Sequence, residues 1–393
     1  MIKKISLTQS LWAILLITLL VGCGGSSSSD TTPENNDSAS SIDTAYLAST
    51  EEHYKNLGLK KDTVEVWEDA LRTDGKSGSF EWWYSDFLFS DGTSVVVIFY
   101  TKFGFDTYGP AHPMVSINVH YPDGTEVKDF YSEDIGTEIN ASKTSPDIHI
   151  GKSYLTYKEG NYLLHFEKGE LVFDAKMLSV LPMTRPKTGY IYFGKNESEY
   201  LAWLPAQISS NVQATLTNNG QTNSLLGLGY HDHNWGNRGM YENINSWYWG
   251  RSQTKDYTIV FFEIIANKDL NNSKIPLFIV AKGDKFIEMN SSITFQKNNI
   301  ITHPSTNKKY ANSITVTQTD VTTGTRYSLT SSSTKDLVFL DMNKLPFEMG
   351  NSPTYIRRFG DVNLTITESN GTKTVQTGKG IVEQMSFDDT ITE

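Results

Sequence analysis

The segment spanning residues 229–237 carries the densest group of side chains able to do chemistry. Within it stand two histidines, an acid, an amide and an indole: His231, Asp232, His233, Asn234 and Trp235. On a strand, residues two apart share a face, so the histidines and the indole point one way and the acid and amide the other. A histidine held by an acid can move protons near neutral pH. A polar network that closes a strand end is an equally open interpretation.

The same two histidines could ligate a metal ion. Structural and catalytic metal sites need at least three protein ligands, and no third ligand stands at a suitable spacing from His231 and His233. We therefore expect no metal.

A second cluster, Glu81-Trp82-Trp83-Tyr84-Ser85-Asp86, is rich in aromatic residues. Strand alternation places Trp83 on one face, and Trp82 with Tyr84 on the other. Large rings of this kind either fill a core or form an aromatic wall for an apolar or sugar ligand.

Glu263 stands inside the apolar run of residues 259–265. If its side chain points inward, loss of hydration raises its pKa and keeps a proton available for donation. If it points outward, it is an ordinary solvent-facing residue of an edge strand. Both orientations are open from the sequence.

The elements that must position these residues are strands. The 393 residues are 38% hydrophobic, enough for a packed core. Short β-branched and aromatic runs alternate with turn signals from about Asp62 onward, which is typical of an all-β sandwich or barrel. A helix of one or two turns is expected near residues 51–57. The net charge of −11, without a basic run, argues against nucleic acid as a partner.

Two parts of the chain repeat the same spacing of residue types. Trp82 precedes Asp91 by nine residues, and Trp247 precedes Asp256 by the same spacing. Each pair is followed by an apolar strand. This pattern favours two copies of one β-unit, arranged as tandem barrels, over a chance match.

The N-terminus has the features of an export signal. Two lysines precede an apolar run, residues 11–21, that is too short to span a bilayer. The run ends in Leu20-Val21-Gly22-Cys23, which resembles a bacterial lipobox and makes Cys23 the expected lipidation site. Since this is the only cysteine, the chain has no internal disulfide and no cysteine nucleophile.

The expected organisation has four segments: a signal peptide (1–22), a flexible polar tether (23–60), an N-terminal barrel (61–237) and a C-terminal barrel (238–393). Acyl chains on Cys23 would hold the protein to a membrane. Gly24, in place of Asp, resembles an address for the outer membrane, so we expect a lipid-anchored protein of the cell envelope.

Several motifs together resemble one family. They are Glu81-Trp82-Trp83-Tyr84, Trp203 with Pro205, the segment 229–236 and the terminal Gly378-Lys379-Gly380-Ile381-Val382-Glu383. In this order they resemble the AttH-like and carotenoid 1,2-hydratase family (CrtC-like, hydroxyneurosporene synthase). The resemblance implies two tandem lipocalin-like β-barrels packed against each other.

The resemblance also implies chemistry without a cofactor, in which water is added to an isoprenoid-like molecule or its skeleton is rearranged. The implied catalytic residues are Glu263 as proton donor, His233 with Trp235, and Asp232 as an acid partner. The implied ligand-binding residues are Trp82, Trp83, Tyr84, Tyr230, His231, Trp247, Trp249 and Phe261. Glu263 and Phe261 stand where the hydratases carry Asp and Tyr.

The leading hypothesis is a membrane-anchored, lipocalin-like protein that binds a small hydrophobic molecule and acts as a hydratase or isomerase. A carrier without catalysis is the first alternative. A carbohydrate-active protein using Glu81, Asp86 and Glu263 is the second, because glycosidases need two neighbouring carboxylates. The leading hypothesis requires Trp83, His233 and Glu263 to converge on one apolar hollow.

Overall fold

A computed structural model describes residues 43–132, 139–289, 291–304, 308–341 and 353–387 of the chain. The expected signal peptide, Cys23 and the first part of the tether lie outside these residues. Neither of the two α-helices in the described part of the chain is long and apolar enough to cross a membrane.

The described residues up to Gly236 form a first antiparallel sheet of thirteen strands. The strands are β1 (Ala45–Leu47), β2 (Phe80–Phe89), β3 (Ser94–Lys102), β4 (Met114–His120), β5 (Glu126–Ser132), β6 (Asn140–Ala141), β7 (Asp147–Ile150), β8 (Ser153–Lys158), β9 (Asn161–Lys168), β10 (Leu171–Ser179), β11 (Tyr190–Phe193), β12 (Tyr200–Asn218) and β13 (Gln221–Gly236). Helix α1 (Glu51–Leu57) and a 3₁₀ turn (Val66–Asp69) precede β2. Thr50 caps α1 and Gly58 ends it in a left-handed conformation, with φ of 69°.

The following described residues form a second antiparallel sheet of nine strands. The strands are β14 (Ile244–Thr254), β15 (Tyr257–Ala266), β16 (Lys274–Lys282), β17 (Lys285–Ile287), β18 (Thr294–Thr302), β19 (Lys309–Asp320), β20 (Thr325–Asp341), β21 (Thr354–Thr367) and β22 (Lys373–Ser386). Helix α2 (Met240–Asn243) joins the two sheets, and a 3₁₀ turn (Lys268–Leu270) follows β15.

The two sheets share one order of strands. In each, a meander starts at the aromatic strand (β2 or β14), and this first strand also pairs with the last one (β13 or β22). The edges of the sheets therefore lie in mid-sequence, at β5 and β6 in the first and at β17 and β18 in the second. The strands that carry the Trp82 and Trp247 motifs hold equivalent positions, as a duplicated unit requires.

Apolar side chains are buried in three main places. One cluster lies in the interior of the first sheet and includes Trp83, Phe87 and Phe173. A second cluster lies in the interior of the second sheet and includes Tyr248 and Phe261. The largest lies between the sheets, where residues of β2, β12 and β13 meet residues of β14, β15 and β22. Strand β15 is buried on both faces throughout its length, which explains why its sequence is continuously apolar instead of alternating.

The predicted fold class is confirmed: the protein is all-β, with two lipocalin-like units packed against each other. The expected short helix is α1. The first sheet ends at Gly236 and the second begins at Ile244. The division into separate folding domains at residues 237 and 238 stays a prediction.

Candidate functional site

A cavity of about 240 Å³ lies between the two sheets. Most of its wall is apolar or aromatic, and its charged residues are Arg357 and Glu383. The lining residues are Trp82, Tyr84, Val96, Ile98, Tyr100, Phe103, Gly104, Phe105, Ser116, Ile117, Asn118, Trp247, Val338, Tyr355, Arg357, Glu383 and Met385.

A smaller chamber of about 70 Å³ adjoins this cavity. Four residues line both: Trp82, Tyr84, Trp247 and Glu383. The remaining wall of the smaller chamber consists of Leu201, Trp203, Asp232, Asn234, Met240, Trp249 and Phe262. We call the two chambers together the interface cavity.

Strand alternation in both sheets builds the aromatic wall of the interface cavity. Trp82 and Tyr84 project from β2, and Trp247 and Trp249 project from β14. The intervening Trp83 and Tyr248 point into the interiors of their own sheets. The rings of Tyr84 and Trp249 meet edge to face, with centroids 5.8 Å apart, so the two units contribute equivalent aromatic residues to one site.

Asp232 is a buried acid of the smaller chamber. Its Oδ2 accepts hydrogen bonds from Trp203 Nε1 at 2.9 Å and from the Tyr230 hydroxyl at 2.7 Å, and its Oδ1 accepts one from Asn234 Nδ2 at 2.8 Å. Burial raises the pKa of Asp232 to about 6, and these hydrogen bonds only partly offset the effect. The carboxyl is thus held in one orientation and titrates near neutral pH.

Glu383 is the second buried acid and lines both chambers. Its Oε1 accepts a hydrogen bond from the Tyr84 hydroxyl at 3.1 Å, and Arg357 Nε lies 3.3 Å from the same oxygen. Burial raises the pKa of Glu383 to about 7, against the opposing effects of Arg357 and Tyr355. A substantial fraction of this carboxyl is therefore protonated at neutral pH.

Asp86 is a third buried acid; it contacts Arg357, as Glu383 does, and is ionised. Arg251 binds it with two hydrogen bonds, Nε to Oδ2 at 2.9 Å and a terminal nitrogen to Oδ1 at 3.0 Å. Arg357 Nη2 lies 2.8 Å from Asp86 Oδ2. Burial alone would raise the pKa of Asp86, but the two guanidinium groups lower it to about 2.

The two histidines lie elsewhere, inside the first sheet. His233 Nε2 is 2.8 Å from Glu81 Oε1, and its Nδ1 is 3.4 Å from Asp69 Oδ1. His231 Nε2 is 3.2 Å from Asp69 Oδ2. Burial lowers the pKa of His233, yet the contacts with Asp69 and Glu81 outweigh it and raise that pKa overall. The four side chains form a closed ionic network.

This network attaches the segment before β2 to the sheet interior. Glu81 accepts hydrogen bonds from the backbone N–H groups of Arg72 and Thr73, at 2.6 and 2.7 Å. The Tyr162 hydroxyl donates to Asp69 Oδ2 at 2.6 Å, and the Trp83 indole stacks on His233 with ring centroids 4.6 Å apart. These contacts indicate a structural role for the network, which holds the segment before β2 in the interior of the first sheet.

Glu263 lies inside the second sheet, paired with Lys297. Its Oε2 is 2.7 Å from Lys297 Nζ, and both side chains are buried. Burial lowers the pKa of Lys297 while Glu263 opposes that shift. Phe261, on the same face of β15, belongs to the core of the second sheet.

The expectation that Trp83, His233 and Glu263 converge on one hollow is therefore wrong. The alternation of β2, β13 and β15 sends them into two separate sheet interiors, on the faces opposite the interface cavity. Trp235 also faces away from the cavity, in a small cluster with Ala202, Leu204 and Ala206.

Other predicted residues do come together. Trp82, Tyr84, Trp247, Trp249 and Asp232 line the interface cavity, and Tyr230 binds Asp232 from the neighbouring core. Sequence reasoning gave no role to Glu383, although it ends a terminal motif that resembles the family, and it missed Arg357. A carboxyl after the apolar pair Ile381 and Val382 was the available signal for Glu383.

The three acids of the carbohydrate hypothesis are also dispersed. Glu81 is inside the first sheet, Asp86 is bound by two arginines, and Glu263 is inside the second sheet. They provide no pair of carboxylates around a shared space. Among the described residues, no group of three histidine, cysteine, aspartate or glutamate side chains is arranged to hold a metal ion.

Solved structures show the same fold. The chain is similar to an AttH protein of Nitrosomonas europaea, with a TM-score of 0.59 and 14% identity, over 84% of this chain and 99% of that one. It is also similar to CghA, in the structure containing Sch210972, with a TM-score of 0.58 and 10% identity, over 89% of this chain and all of that one.

Curated proteins share parts of the sequence. A hydroxyneurosporene dehydrogenase of Chlorobaculum tepidum is 27% identical over 241 residues, which are 51% of this chain and 61% of that protein. A quinolone epoxide rearrangement protein of Penicillium thymicola is 33% identical over 64 residues, 16% of this chain and 17% of that one. The chain thus matches about three-fifths of the bacterial relative's length and a sixth of the fungal relative's.

A family model completes the comparison. The model described as carotenoid hydratase CrtC matches residues 97–338, more than half of the chain. This range includes strands of both sheets and the acid Asp232 of the interface cavity. The predicted family is therefore confirmed, and the chain belongs to the CrtC carotenoid hydratase family.

Proposed function

We propose that this protein is an acid–base catalyst that hydrates or isomerises a small hydrophobic molecule bound in the interface cavity. One observation carries the proposal: two buried carboxyl groups, Asp232 and Glu383, titrate near neutral pH in a chamber with an aromatic wall. Neighbouring acids with different pKa values are a common basis for assigning a catalytic acid and base.

The roles follow from the two pKa values. With a pKa of about 7, Glu383 retains protons at neutral pH and acts as the general acid. With a pKa of about 6, Asp232 is mostly ionised there and acts as the general base. The hydrogen bonds from Trp203, Tyr230 and Asn234 orient its carboxylate.

In the hydration reaction, the Glu383 O–H bond breaks as a new C–H bond forms on one carbon of a C=C bond. The other carbon becomes cationic, and the faces of Trp82, Tyr84 and Trp249 stabilise it. A water molecule attacks this carbon and gives its proton to Asp232. Isomerisation differs only in the last step, where Asp232 removes a proton from carbon instead.

The size of the cavity limits the substrate. Pockets for drug-sized ligands are roughly 300–1,000 Å³, and the two chambers measure about 240 and 70 Å³. A short isoprenoid or a compact polycycle fits the combined volume of the two chambers. A long carotenoid would have only one end inside. The names of the Chlorobaculum and Penicillium relatives refer to hydroxyneurosporene and to a quinolone epoxide.

The test uses farnesol as a probe in D₂O, with products analysed by mass spectrometry. Hydration places one deuterium on carbon and one hydroxyl on the neighbouring carbon, so the product gains the mass of one singly deuterated water, whereas isomerisation replaces one hydrogen by deuterium. We expect turnover by the natural protein, loss of at least about a hundredfold in Glu383→Gln, and an unchanged rate per folded molecule in Glu263→Gln. Undiminished turnover in Glu383→Gln would refute the assignment of the acid.

A carrier without catalysis is the second candidate, favoured by the mostly apolar lining of the larger chamber. It predicts that farnesol binds in the cavity and is released unchanged. Native mass spectrometry of the natural protein, compared with the D₂O assay, separates the two functions.

We also propose that Cys23 is acylated and that the protein is anchored to the outer membrane. The support is the Leu20-Val21-Gly22-Cys23 motif followed by Gly24 and a polar stretch. Mass spectrometry of the N-terminal peptide of protein made in a Gram-negative host should show a diacylglyceryl group on Cys23. The Cys23→Ser variant should be absent from the outer-membrane fraction. An unmodified Cys23 would contradict the proposal.

A further inference from the structure

The wall of the interface cavity has one place that is not built from strands. Among the described lining residues, all but four belong to strands of the two sheets. The exceptions are Phe103, Gly104 and Phe105, which follow β3, and Met240 in α2. The Gly104 carbonyl accepts a hydrogen bond of 3.3 Å from the Met240 backbone N–H. These four residues therefore meet along one seam, where the loop between β3 and β4 touches the helix that joins the sheets.

The loop is held in place on both sides of this seam. Lys102, only 1% exposed, donates hydrogen bonds from Nζ to the backbone carbonyl groups of Lys76, Thr107 and Gly109, at 2.7, 3.2 and 2.9 Å. It thereby uses every donor of its ammonium group on backbone acceptors. We call residues 103–106 the cover segment, because they lie over the cavity between the fixed residues Lys102 and Thr107.

The cover segment closes the cavity with aromatic side chains. The Phe105 ring lies against Trp247 and Phe387, with centroid separations of 6.4 and 5.2 Å. The Phe103 ring meets Phe105 edge to face at 4.8 Å. Both phenylalanines are half-buried, so each has one side against the cavity wall and one side towards solvent. Contacts of this kind are non-directional and can be broken and remade without disturbing the strands.

One side-chain hydrogen bond holds the loop against α2 at the surface. The Tyr108 hydroxyl donates to Glu242 Oε1, and 47% of Tyr108 is exposed. The helix end is itself anchored, because Asn267 Nδ2 donates to the Glu242 carbonyl at 2.5 Å. Water can replace a partner in an exposed hydrogen bond, so this bond adds only modestly to the closed arrangement.

The seam is the weakest part of the described wall. Strand β2 pairs with β3 and with β13 along nearly its whole length, and separating either pair would break a continuous ladder. Parting the cover segment from α2 breaks one backbone hydrogen bond, together with the contact between Tyr108 and Glu242. Segments with few backbone hydrogen bonds and partly exposed side chains open at the lowest free energy.

We propose that the cover segment is a gate, and that the hydrophobic ligand enters the interface cavity between this segment and α2. Opening moves Phe103 and Phe105 away from Trp247, while Lys102 and Thr107 keep the ends of the segment in place. Closing returns both rings and excludes water from the bound molecule. The proposal rests on the proposed function only for the presence of a hydrophobic ligand, and it applies equally to an enzyme and to a carrier.

The first experiment measures the rates of dodecanol binding and release by stopped-flow tryptophan fluorescence, since Trp82, Trp247 and Trp249 line the cavity. Tyr108→Phe removes the hydroxyl that donates to Glu242 and leaves the lining unchanged. The closed gate is then less stable in the free and in the bound protein alike. We expect both rate constants to rise by at least about threefold, with the dissociation constant unchanged.

Tyr46→Phe is the matched control. The Tyr46 hydroxyl also donates to a glutamate, Glu197 Oε1 at 2.5 Å, and neither residue lines the cavity. This variant should bind and release dodecanol at the rates of the natural protein. Unchanged rates in Tyr108→Phe, or a faster release alone with weaker binding, would overturn the gate.

The second experiment measures hydrogen–deuterium exchange of the Met240 N–H, whose acceptor is the Gly104 carbonyl. We expect this amide to exchange faster than the ladder amides of β2 and β14, and faster still in Tyr108→Phe. Protection of Met240 equal to that of the ladders in both proteins would refute the gate. If dodecanol does not bind, the hydrophobic ligand site of the proposed function is refuted, and the exchange of Met240 alone decides whether the seam opens.

Discussion

Asp232 and Glu383 occupy the same register position in the two sheets. Asp232 on β13 pairs with Tyr84, and Glu383 on β22 pairs with Trp249. Tyr84 and Trp249 are in turn the third aromatic residues of the two related motifs. The internal repeat therefore brings two acids to one cavity, one from each unit, and their different neighbours give them different pKa values.

The first prediction is a bell-shaped pH profile for activity. Below about pH 6 the base Asp232 becomes protonated, and above about pH 7 the acid Glu383 loses its proton. We expect kcat/KM to be greatest between these values and to fall about tenfold per pH unit on either side. Initial rates measured across this range test the prediction.

Two single substitutions test the assignment of the limbs of this pH profile. Asp232→Asn should lower the rate and remove the acidic limb, whereas Glu263→Gln should leave both limbs in place. Activity that continues to rise above pH 8 would contradict the assignment of Glu383 as proton donor.

The second prediction concerns stability. Both carboxyls have a higher pKa in the folded protein than the ordinary values of 4.5 and 3.8 for Glu and Asp. The folded state therefore binds more protons than the unfolded state between about pH 4 and pH 7. The contribution of these groups to the free energy of unfolding decreases as the pH rises through that window, by at most about 1.4 kcal/mol per pH unit and group.

The measurement is urea denaturation of the natural protein and of Asp232→Asn/Glu383→Gln at pH 5 and pH 8. The double variant should lose less stability between the two pH values than the natural protein. Equal losses would show that the two carboxyls titrate normally in the fold.

The third prediction separates the buried histidine from the cavity. His233→Ala should lower the free energy of unfolding by about 3–5 kcal/mol, because it leaves the buried carboxylates of Asp69 and Glu81 without their shared partner. Asn234→Ala, one residue away on the opposite face, should cost about 1–3 kcal/mol through Asp232. Thermal and urea unfolding of both variants, with near-ultraviolet circular dichroism, provide the comparison. A stable, folded His233→Ala would contradict a structural role.

The sequence predicted much of this fold and part of the site. Strand alternation correctly separated Trp83 from Trp82 and Tyr84, and His233 from Asp232, because a period of two depends only on the local backbone. It could not tell which face of β2 would meet a second sheet. That is decided by contacts between residues more than a hundred positions apart, such as Tyr84 with Glu383.

Glu263 shows the limit of local reasoning most clearly. The sequence leaves both orientations of its side chain open, and burial alone would favour a proton donor. The opposing charge comes from Lys297 on β18, a residue that no local pattern connects to it. No local pattern predicts a role for Arg357 either, because its charged neighbours come from β2, β14 and β22.

The fourth prediction tests this ion pair. Glu263→Gln should lower the free energy of unfolding by about 3–5 kcal/mol, because Lys297 remains buried without an anion. Glu263→Leu/Lys297→Met should recover most of that loss, since well-packed apolar residues often replace a buried pair at little cost. Urea titrations of the single and double variants measure the coupling. A double variant less stable than Glu263→Gln would show that the pair has a further role.

The fifth prediction concerns Gly104, which lines the larger chamber. A Cβ atom there would lie 2.8 Å from the Trp82 ring and 3.2 Å from Met240 Sδ. Gly104→Ala must therefore displace Trp82, and we expect weaker binding of dodecanol, by about tenfold, with a loss of stability of about 1–3 kcal/mol. Phenylalanine has a smaller ring than tryptophan, so Trp82→Phe should relieve the close contact with the added Cβ atom. Gly104→Ala should then cost much less affinity in the Trp82→Phe background than in the natural protein. Equal costs in both backgrounds, measured by calorimetry, would show that Trp82 does not transmit the change to the cavity.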